Sequence, residues 1–278
     1  MTDRPDNDTP PHVVLPDDYF SRPHTARIWN YWMGGNDNYL VDRRAGDEVA
    51  REYPEIFDLA HQGREFQLRV VRYLAGERDI DQVLDVGTGY PMGYMQYQNT
   101  HEIVHSLHPE GRVLYVDNDP VVLAHARARL TAWQRTGVVD YIDHDVHDPD
   151  GILERARTVL DLDRPVAVLL LGVLGHVIDF AEARSIVARV MAAVASGSYL
   201  AIRDGVDSNP AFQAAMAKFG AAGAAAYHPR PAGQLRRYFD GLGLVEPGLV
   251  PCSMWRPAPT EVGTARPVMS YGGVARKP

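Results

Sequence analysis

From residue 82 to residue 202 short apolar runs alternate with amphipathic ones, and that alternation constrains the fold more than any other feature of the chain. The runs 83–86, 112–116, 138–142, 166–171 and 198–202 are too short for helices and almost wholly apolar, as strands buried on both faces are. Between them, 99–107 reads as a helix, and Asp119-Pro120 supplies an N-cap followed by proline at the first helical position. Ile186, Val187, Val190, Met191 and Val194 share one face of a further helix. Strands separated by helices run parallel through right-handed crossovers. The spacing therefore predicts an α/β fold: a mostly parallel sheet with helices on both faces.

The flanks break the rhythm. Residues 1–21 carry five Asp, one Arg and four Pro, with little to bury, and are expected to form a disordered arm. Residues 22–78 read as a helical cover. In it Ile28/Trp32 and Trp29/Met33 are i,i+4 pairs stopped by Gly34-Gly35, a second helix falls within 42–53, and a third spans about 57–74 with Gly76 in the C′ position. Residues 79–278 then form the main domain. Within it 204–232, Ala-rich over 220–226, is expected to be a substrate lid, and the runs 242–250 and 268–274 an antiparallel terminal hairpin.

Charge and cysteine content narrow the function classes. With 278 residues, 28 Lys+Arg against 36 Asp+Glu and a net charge of −8, the chain lacks the clustered cations of a nucleic-acid surface. The single Cys252 excludes an internal disulfide and a thiolate-rich metal site, and fits a reducing compartment. The longest uncharged apolar stretch, 166–178, is well short of the ~20 residues that span a bilayer. With no signal-peptide pattern, a cytoplasmic protein without a membrane partner is expected; oligomeric state is left open.

Chemistry enters at the strand ends. Val83-Leu84-Asp85-Val86-Gly87-Thr88-Gly89 is a strand followed by a Gly-X-Gly turn, and Val113 to Asp117 is a second strand ending in an acid. Glycines admit a ligand close to the backbone, and a carboxylate at the end of the second strand accepts both hydroxyls of a ribose. A dinucleotide cradle wants a third glycine, but that position is Met92, and Pro91 removes a donor beside it. A ligand with an adenosine half and no phosphate fits better, and S-adenosylmethionine is such a ligand. Asp85, just inside the turn, is suited to orient it and to hold an ammonium through water. After the third strand, Asp145 is suited to accept from the adenine amino group while the Val146 backbone meets a ring nitrogen.

These segments resemble the motifs of class I S-adenosylmethionine-dependent methyltransferases. The chain is also similar to a narrower methyltransferase-like family of mostly unassigned substrate. The residues that carry this are Ala26-Arg27, Tyr31 to Tyr39 (with Gly34-Gly35-Asn36-Asp37-Asn38), Leu84 to Gly89, Asn99-Thr100-His101-Glu102 and Tyr115 to Pro120. Gly248 to Pro251 and Tyr271 to Val274 complete the set, so that the likeness covers nearly everything after residue 22. It implies a Rossmann-like seven-stranded sheet and cofactor contacts at Asp85, Gly87, Thr88, Gly89, Asp117, Asn118, Asp145 and Val146. The link 90–98, with three Tyr, is longer than the Leu-Pro-containing link of that family.

Catalytic candidates are fewer. Methyl transfer is an in-line displacement, so a general base is needed only when the acceptor arrives protonated. His176, after the fourth strand, reads either as that base or as a half-buried histidine bonded to backbone. Trp29 and Trp32 are assigned to core packing by their spacing and Tyr31 to the ligand. Asn36 and Asn38 read as helix caps or as partners of the cofactor carboxylate. His101 is expected to order its loop. His144 and His147 read as a solvated pair, and no metal site is assigned. The expected function is methyl transfer to a small-molecule acceptor. The alternative is a protein that binds the cofactor without transferring methyl: a cyclase or isomerase using the sulfonium charge, or a regulator.

Overall fold

The computed structural model describes residues 15, 17–91, 97–133, 137–258 and 263–278; the middle of the 90–98 link lies outside them. Strands β1 (Gln82–Val86), β2 (Arg112–Asp117), β3 (Val138–Asp143), β4 (Ala167–Leu171) and β5 (Tyr199–Gly205) are parallel, in the order β3-β2-β1-β4-β5. Strands β6 (Gly243–Leu244), β7 (Val250–Pro251) and β8 (Ser270–Arg276) complete an eight-stranded sheet. Strand β8 lies antiparallel between β5 and β6, and β7 pairs β8 off the main path. The expected run 242–250 pairs only at its ends. Pro247 cannot donate to a ladder, and Gly248 has φ +86°, so the middle of the run leaves the sheet.

Period-two alternation buries both faces. Leu84, Leu114, Val168 and Leu200 pack on one side with Ile152 of α6 (Pro149–Ala156) and Ile186 and Val190 of α7 (Phe180–Ala193). Val83, Val113, Leu169 and Ala201 face the other side. There they meet Phe66 and Val70 of α3 (Ile56–Arg72) and Ile103 of α4 (Thr100–Leu107), with Leu123 of α5 (Pro120–Trp133) alongside. Helix α4 begins at a capping box: the Asn99 backbone N–H donates to Glu102 Oε2 at 2.5 Å. Gly76 does not end α3 as expected. The chain passes through a π-helical turn, Tyr73–Glu77, and the left-handed residue is Asp79, at φ +57°.

The N-terminal helices form a third core cluster. Ile28 and Trp32 of α1 (Thr25–Trp32) and Val49 of α2 (Leu40–Glu52) pack with Phe212, Met216 and Phe219 of α8 (Pro210–Ala221). Part of the 204–232 interruption is thus a helix docked on the N-terminal block. A buried ion pair locks the arrangement. Arg27 Nε lies 3.1 Å from the Asp42 carboxylate, which also accepts from the backbone N–H of His24 (2.9 Å) and of Tyr39 (2.8 Å). The other end of the same guanidinium donates to the carbonyls of Tyr19 and Arg22.

That anchor corrects the expectation for the arm. Tyr19 is buried, opens a 3₁₀ turn (Tyr19–Ser21) and donates its hydroxyl to Asp119 Oδ1 at 2.6 Å. Of the expected arm, residues 19–21 are thus held against the domain by Tyr19. Removing one partner of a buried pair leaves an uncompensated charge. Asp42→Ala is expected to cost about 3–5 kcal/mol, read as a lowered urea midpoint at unchanged slope. An unchanged midpoint would show that the pair does not hold the cover.

Candidate functional site

A cavity of about 630 Å³ opens at the carboxyl ends of the five parallel strands. It lies where the strand order reverses between β1 and β4, the usual ligand position in an open α/β sheet. Residues of the 18–33 segment and of α3 wall one side, and Gly223 and Ala225 reach it from beyond α8.

The glycine turn after β1 is folded onto the end of β2. Gly87 donates to Val116 O at 2.8 Å, and Gly89 to Asp117 Oδ2 at 2.8 Å. Gly87 has φ +73°, and a Cβ there would come within 2.7 Å of Val173, so the turn tolerates no side chain. Asp117 also accepts from the Asp119 backbone N–H at 3.0 Å. Burial nevertheless outweighs these bonds and pushes its carboxyl up to about 6. Asp119 caps α5 through the Val121 N–H at 2.9 Å, and it holds both Tyr19 and, at 3.4 Å, His24 Nδ1.

Asp85 sits at the back of the cavity and is fully buried. Its Oδ2 accepts from Gln67 Nε2 and Thr100 Oγ1, each at 3.0 Å, which joins β1 to α3 and α4. Burial pushes it up to about 6 against the pull of Thr100 and Arg64. Arg64 donates to Gln67 Oε1 (2.7 Å) and Gln98 O (3.1 Å), while its buried Nε has no partner. At the end of β3, Asn118 donates to Asp145 Oδ2 at 2.7 Å, and His147 Nδ1 lies 2.6 Å from Oδ1. Burial pushes Asp145 up, but the His147 and Asn118 bonds prevail and hold it below the usual carboxylate range. Val146 is buried beside it, and His144 and His147 line the cavity as well.

His176 ends a short 3₁₀ turn after β4, Leu174–His176, and lines the cavity. Its Nδ1 is 2.9 Å from the Ala226 carbonyl, which only accepts, so Nδ1 carries the proton and neutral Nε2 keeps a lone pair. Burial lowers its pKa. The turn is held by the chain beyond α8: Arg230 Nη1 donates to Leu174 O at 2.8 Å, and His228 N to Gly175 O at 2.8 Å.

Three expected contacts are corrected. Tyr31 does not line the cavity; its hydroxyl donates to Asp47 at 2.6 Å and its ring meets Phe57 edge-on. Asn36 is exposed away from it. Asn38 is buried inside the cover, donating to Asn30 Oδ1 (2.9 Å) and Gly35 O (2.7 Å) and accepting from Arg43 (2.7 Å). Trp29 packs on the third core cluster, as expected, edge-on to Trp32, and it also lines the cavity, with Arg203 over its ring. Asp85, Gly87, Thr88, Gly89, Asp117, Asn118, Asp145, Val146 and His176 all come together at the cavity. Tyr19, His24, Arg64, Gln67 and Arg203 are lining residues that sequence reasoning missed. Among the described residues no group of three His, Cys, Asp or Glu is placed to hold a metal, and no helix is long and apolar enough to cross a membrane.

Comparison with known proteins agrees with this geometry. The model of the S-adenosyl methyltransferase family matches residues 18–278, and the chain belongs to that family. A solved structure from Streptomyces avermitilis, described as a DUF574 family protein, is 37% identical over 93% of this chain and 99% of its own, with a TM-score of 0.86. One from Thermobifida fusca, described as a candidate methyltransferase, is 35% identical over 93% and 96%, with a TM-score of 0.82. No curated protein matches. The protein is a S-adenosylmethionine-dependent methyltransferase.

The raised carboxyls make binding and stability respond oppositely to pH. Burial raises the Asp85 carboxyl from its ordinary 3.8 to about 6, so in that range it binds its proton more tightly folded than unfolded. Its contribution is therefore present at low pH and lost as pH rises through about 6. Asp85→Asn is expected to raise the melting temperature of the ligand-free protein at pH 8 and to change it little near pH 4. Affinity for S-adenosylhomocysteine should strengthen from pH 5 to pH 7 as Asp85 and Asp117 ionise. A flat affinity profile by calorimetry would contradict this.

Proposed function

We propose that the chain methylates a small-molecule acceptor inside this cavity, with His176 as general base. The observation that carries the reading is the size and position of the cavity. The 18–33 segment, α3 and the 223–225 segment wall a half-open volume of about 630 Å³, within the ~300–1,000 Å³ of small-molecule sites. A net charge of −8 supports the same reading against a nucleic-acid substrate.

The donor set fits the cofactor by its own chemistry. Asp117 offers a carboxylate to the ribose diol, and Asn118, Asp145 and the Val146 backbone offer an edge for adenine. Asp85, Gln67 and Arg64 suit the amino-acid end, where the unpartnered Arg64 Nε is a donor awaiting a carboxylate. When bound, the cofactor supplies an electrophilic methyl on a sulfonium. His176 Nε2 would accept the proton of an acceptor hydroxyl or amine, while the cofactor, when bound, would give up its methyl by loss of the S–CH3 bond and leave as the neutral thioether S-adenosylhomocysteine. The low pKa keeps His176 neutral and ready to accept at pH 7. Tyr19 and His24, clamped on Asp119, keep water out, and the 204–232 segment serves as the lid on the acceptor side.

Incubation with methyl-labelled cofactor and a panel of phenols, amines and hydroxy acids tests the reading. Label should enter a small molecule as S-adenosylhomocysteine accumulates in equal amount; label confined to RNA or protein would contradict it. With the acceptor so found, His176→Ala should lower kcat by about 10²–10⁴ while leaving S-adenosylhomocysteine affinity within about threefold. The acid limb of kcat at saturating cofactor should lie below 6.5, since protonation abolishes the base and burial lowers its pKa. A variant of unchanged kcat would remove His176 from the chemistry.

A further inference from the structure

Arg203 is a buried cation at the acceptor side of the cavity, and among the described residues it has no counterion in contact. It lies on β5, opposite Leu171 of β4 and two residues beyond Ala201, which is the residue across β4 from Asp85, and is 8% exposed. Its Nη1 donates to Ser270 Oγ at 3.2 Å and its Nη2 to Leu171 O at 3.0 Å, so its partners are a hydroxyl and a carbonyl. Two of the five guanidinium N–H groups are used in this way. Three remain, among them the Nε–H, which is buried without a partner. Asp204 follows in the chain, but it points to the opposite face of the strand, where it accepts from Tyr227.

Room for this side chain is built into the backbone. A Cβ on Gly63, in the middle of α3, would lie 3.0 Å from Arg203 Cζ, and one on Gly172, which has φ +92°, 2.5 Å from Nη2. A glycine inside a helix costs about 0.5–1 kcal/mol relative to alanine, and here it admits the guanidinium to the cavity wall. The Trp29 ring stands 5.6 Å from Cζ and lines the same cavity. A desolvated, half-bonded guanidinium beside an aromatic face is suited to a planar anion, which it pairs through two parallel N–H bonds.

We infer that the methyl acceptor carries a carboxylate, seated on Arg203 with its body against Trp29. The inference rests on the proposed small-molecule reading and deepens it by naming the substrate class. The carboxylate anchors the acceptor at the β5 side, so that the hydroxyl or amine to be methylated reaches His176 and the cofactor methyl from there. The carboxyl ends of β1 to β3 present Asp85, Asp117 and Asp145, whereas β5 presents a cation.

Calorimetry on the protein saturated with S-adenosylhomocysteine tests this, with 4-hydroxybenzoate as probe and 4-hydroxybenzamide as its uncharged counterpart. The wild-type protein should bind the carboxylate at least about tenfold more tightly than the amide, as loss of one charge-assisted contact implies. Arg203→Gln should abolish that preference, and Arg203→Lys, which keeps charge without the planar fork, should retain part of it. Equal binding of the two probes by wild type, binding of neither, or an undiminished preference in Arg203→Gln overturns the inference. So does a loss of S-adenosylhomocysteine affinity of about tenfold in that variant, which would place Arg203 on the cofactor's own carboxylate. Failure of the wild-type protein to bind S-adenosylhomocysteine would instead sink the cofactor seat. The probe comparison then runs on the ligand-free protein and still decides the role of Arg203.

Discussion

The site depends on one hydrogen bond between neighbouring strand ends, from the Gly89 backbone N–H to the Asp117 carboxylate. It folds the glycine turn after β1 onto the tip of β2, and the Gly87 bond to Val116 O fixes the near side of the same turn. Asp117 then has its second oxygen on the Asp119 N–H, and Asp119 in turn caps α5 and receives Tyr19. Turn, helix and cover are thus linked in series through two neighbouring aspartates. The cost is a carboxylate that burial would prefer neutral.

The rest of the architecture serves that seat. Arg27 and Asp42, buried and paired, hold the first two helices together and fix the carbonyls of residues 19 and 22, so the cover closes in one position. On the other side, Arg230 and His228 bind the turn that carries His176. The two sides are joined, since the Ala225 N–H donates to Thr25 Oγ1 at 3.2 Å and α8 packs on the first two helices.

The strand ends were legible in the sequence because an apolar run that stops at an acid carries both its burial and its function in consecutive residues. Asp117 follows that pattern, Asp85 sits one residue inside the end of its strand and Asp145 two residues beyond the end of its own, and all reach the cavity. The N-terminal cover was legible as helices but not as faces. Spacing groups Trp29 with Trp32, yet it does not say what packs on the pair, and α3 and β5 leave Trp29 at the cavity while Tyr31 turns to Asp47. Asn38 has the chemistry of a ligand contact, and the Gly34-Gly35 turn brings Asn30 to it instead. Arg203 escaped because the fifth strand was expected to end at residue 202, and it runs to Gly205. A charge at the end of an apolar strand was a usable signal there, as it was at Asp117. Arg64 and Gln67 gave none, since a polar residue on an amphipathic helix ordinarily faces solvent.

The most direct test of the account is the affinity of Asp117→Asn for S-adenosylhomocysteine, measured by calorimetry at pH 8. The amide keeps an acceptor for Gly89 but loses the one for the Asp119 N–H and the charge offered to the ribose, so the ligand-free melting temperature is measured alongside to show that the variant is folded. Binding should weaken by about ten- to a hundredfold, at roughly 1.4 kcal/mol per decade. Wild-type affinity in a folded variant would contradict the account, because the carboxylate at the end of β2 would then not be the cofactor's seat.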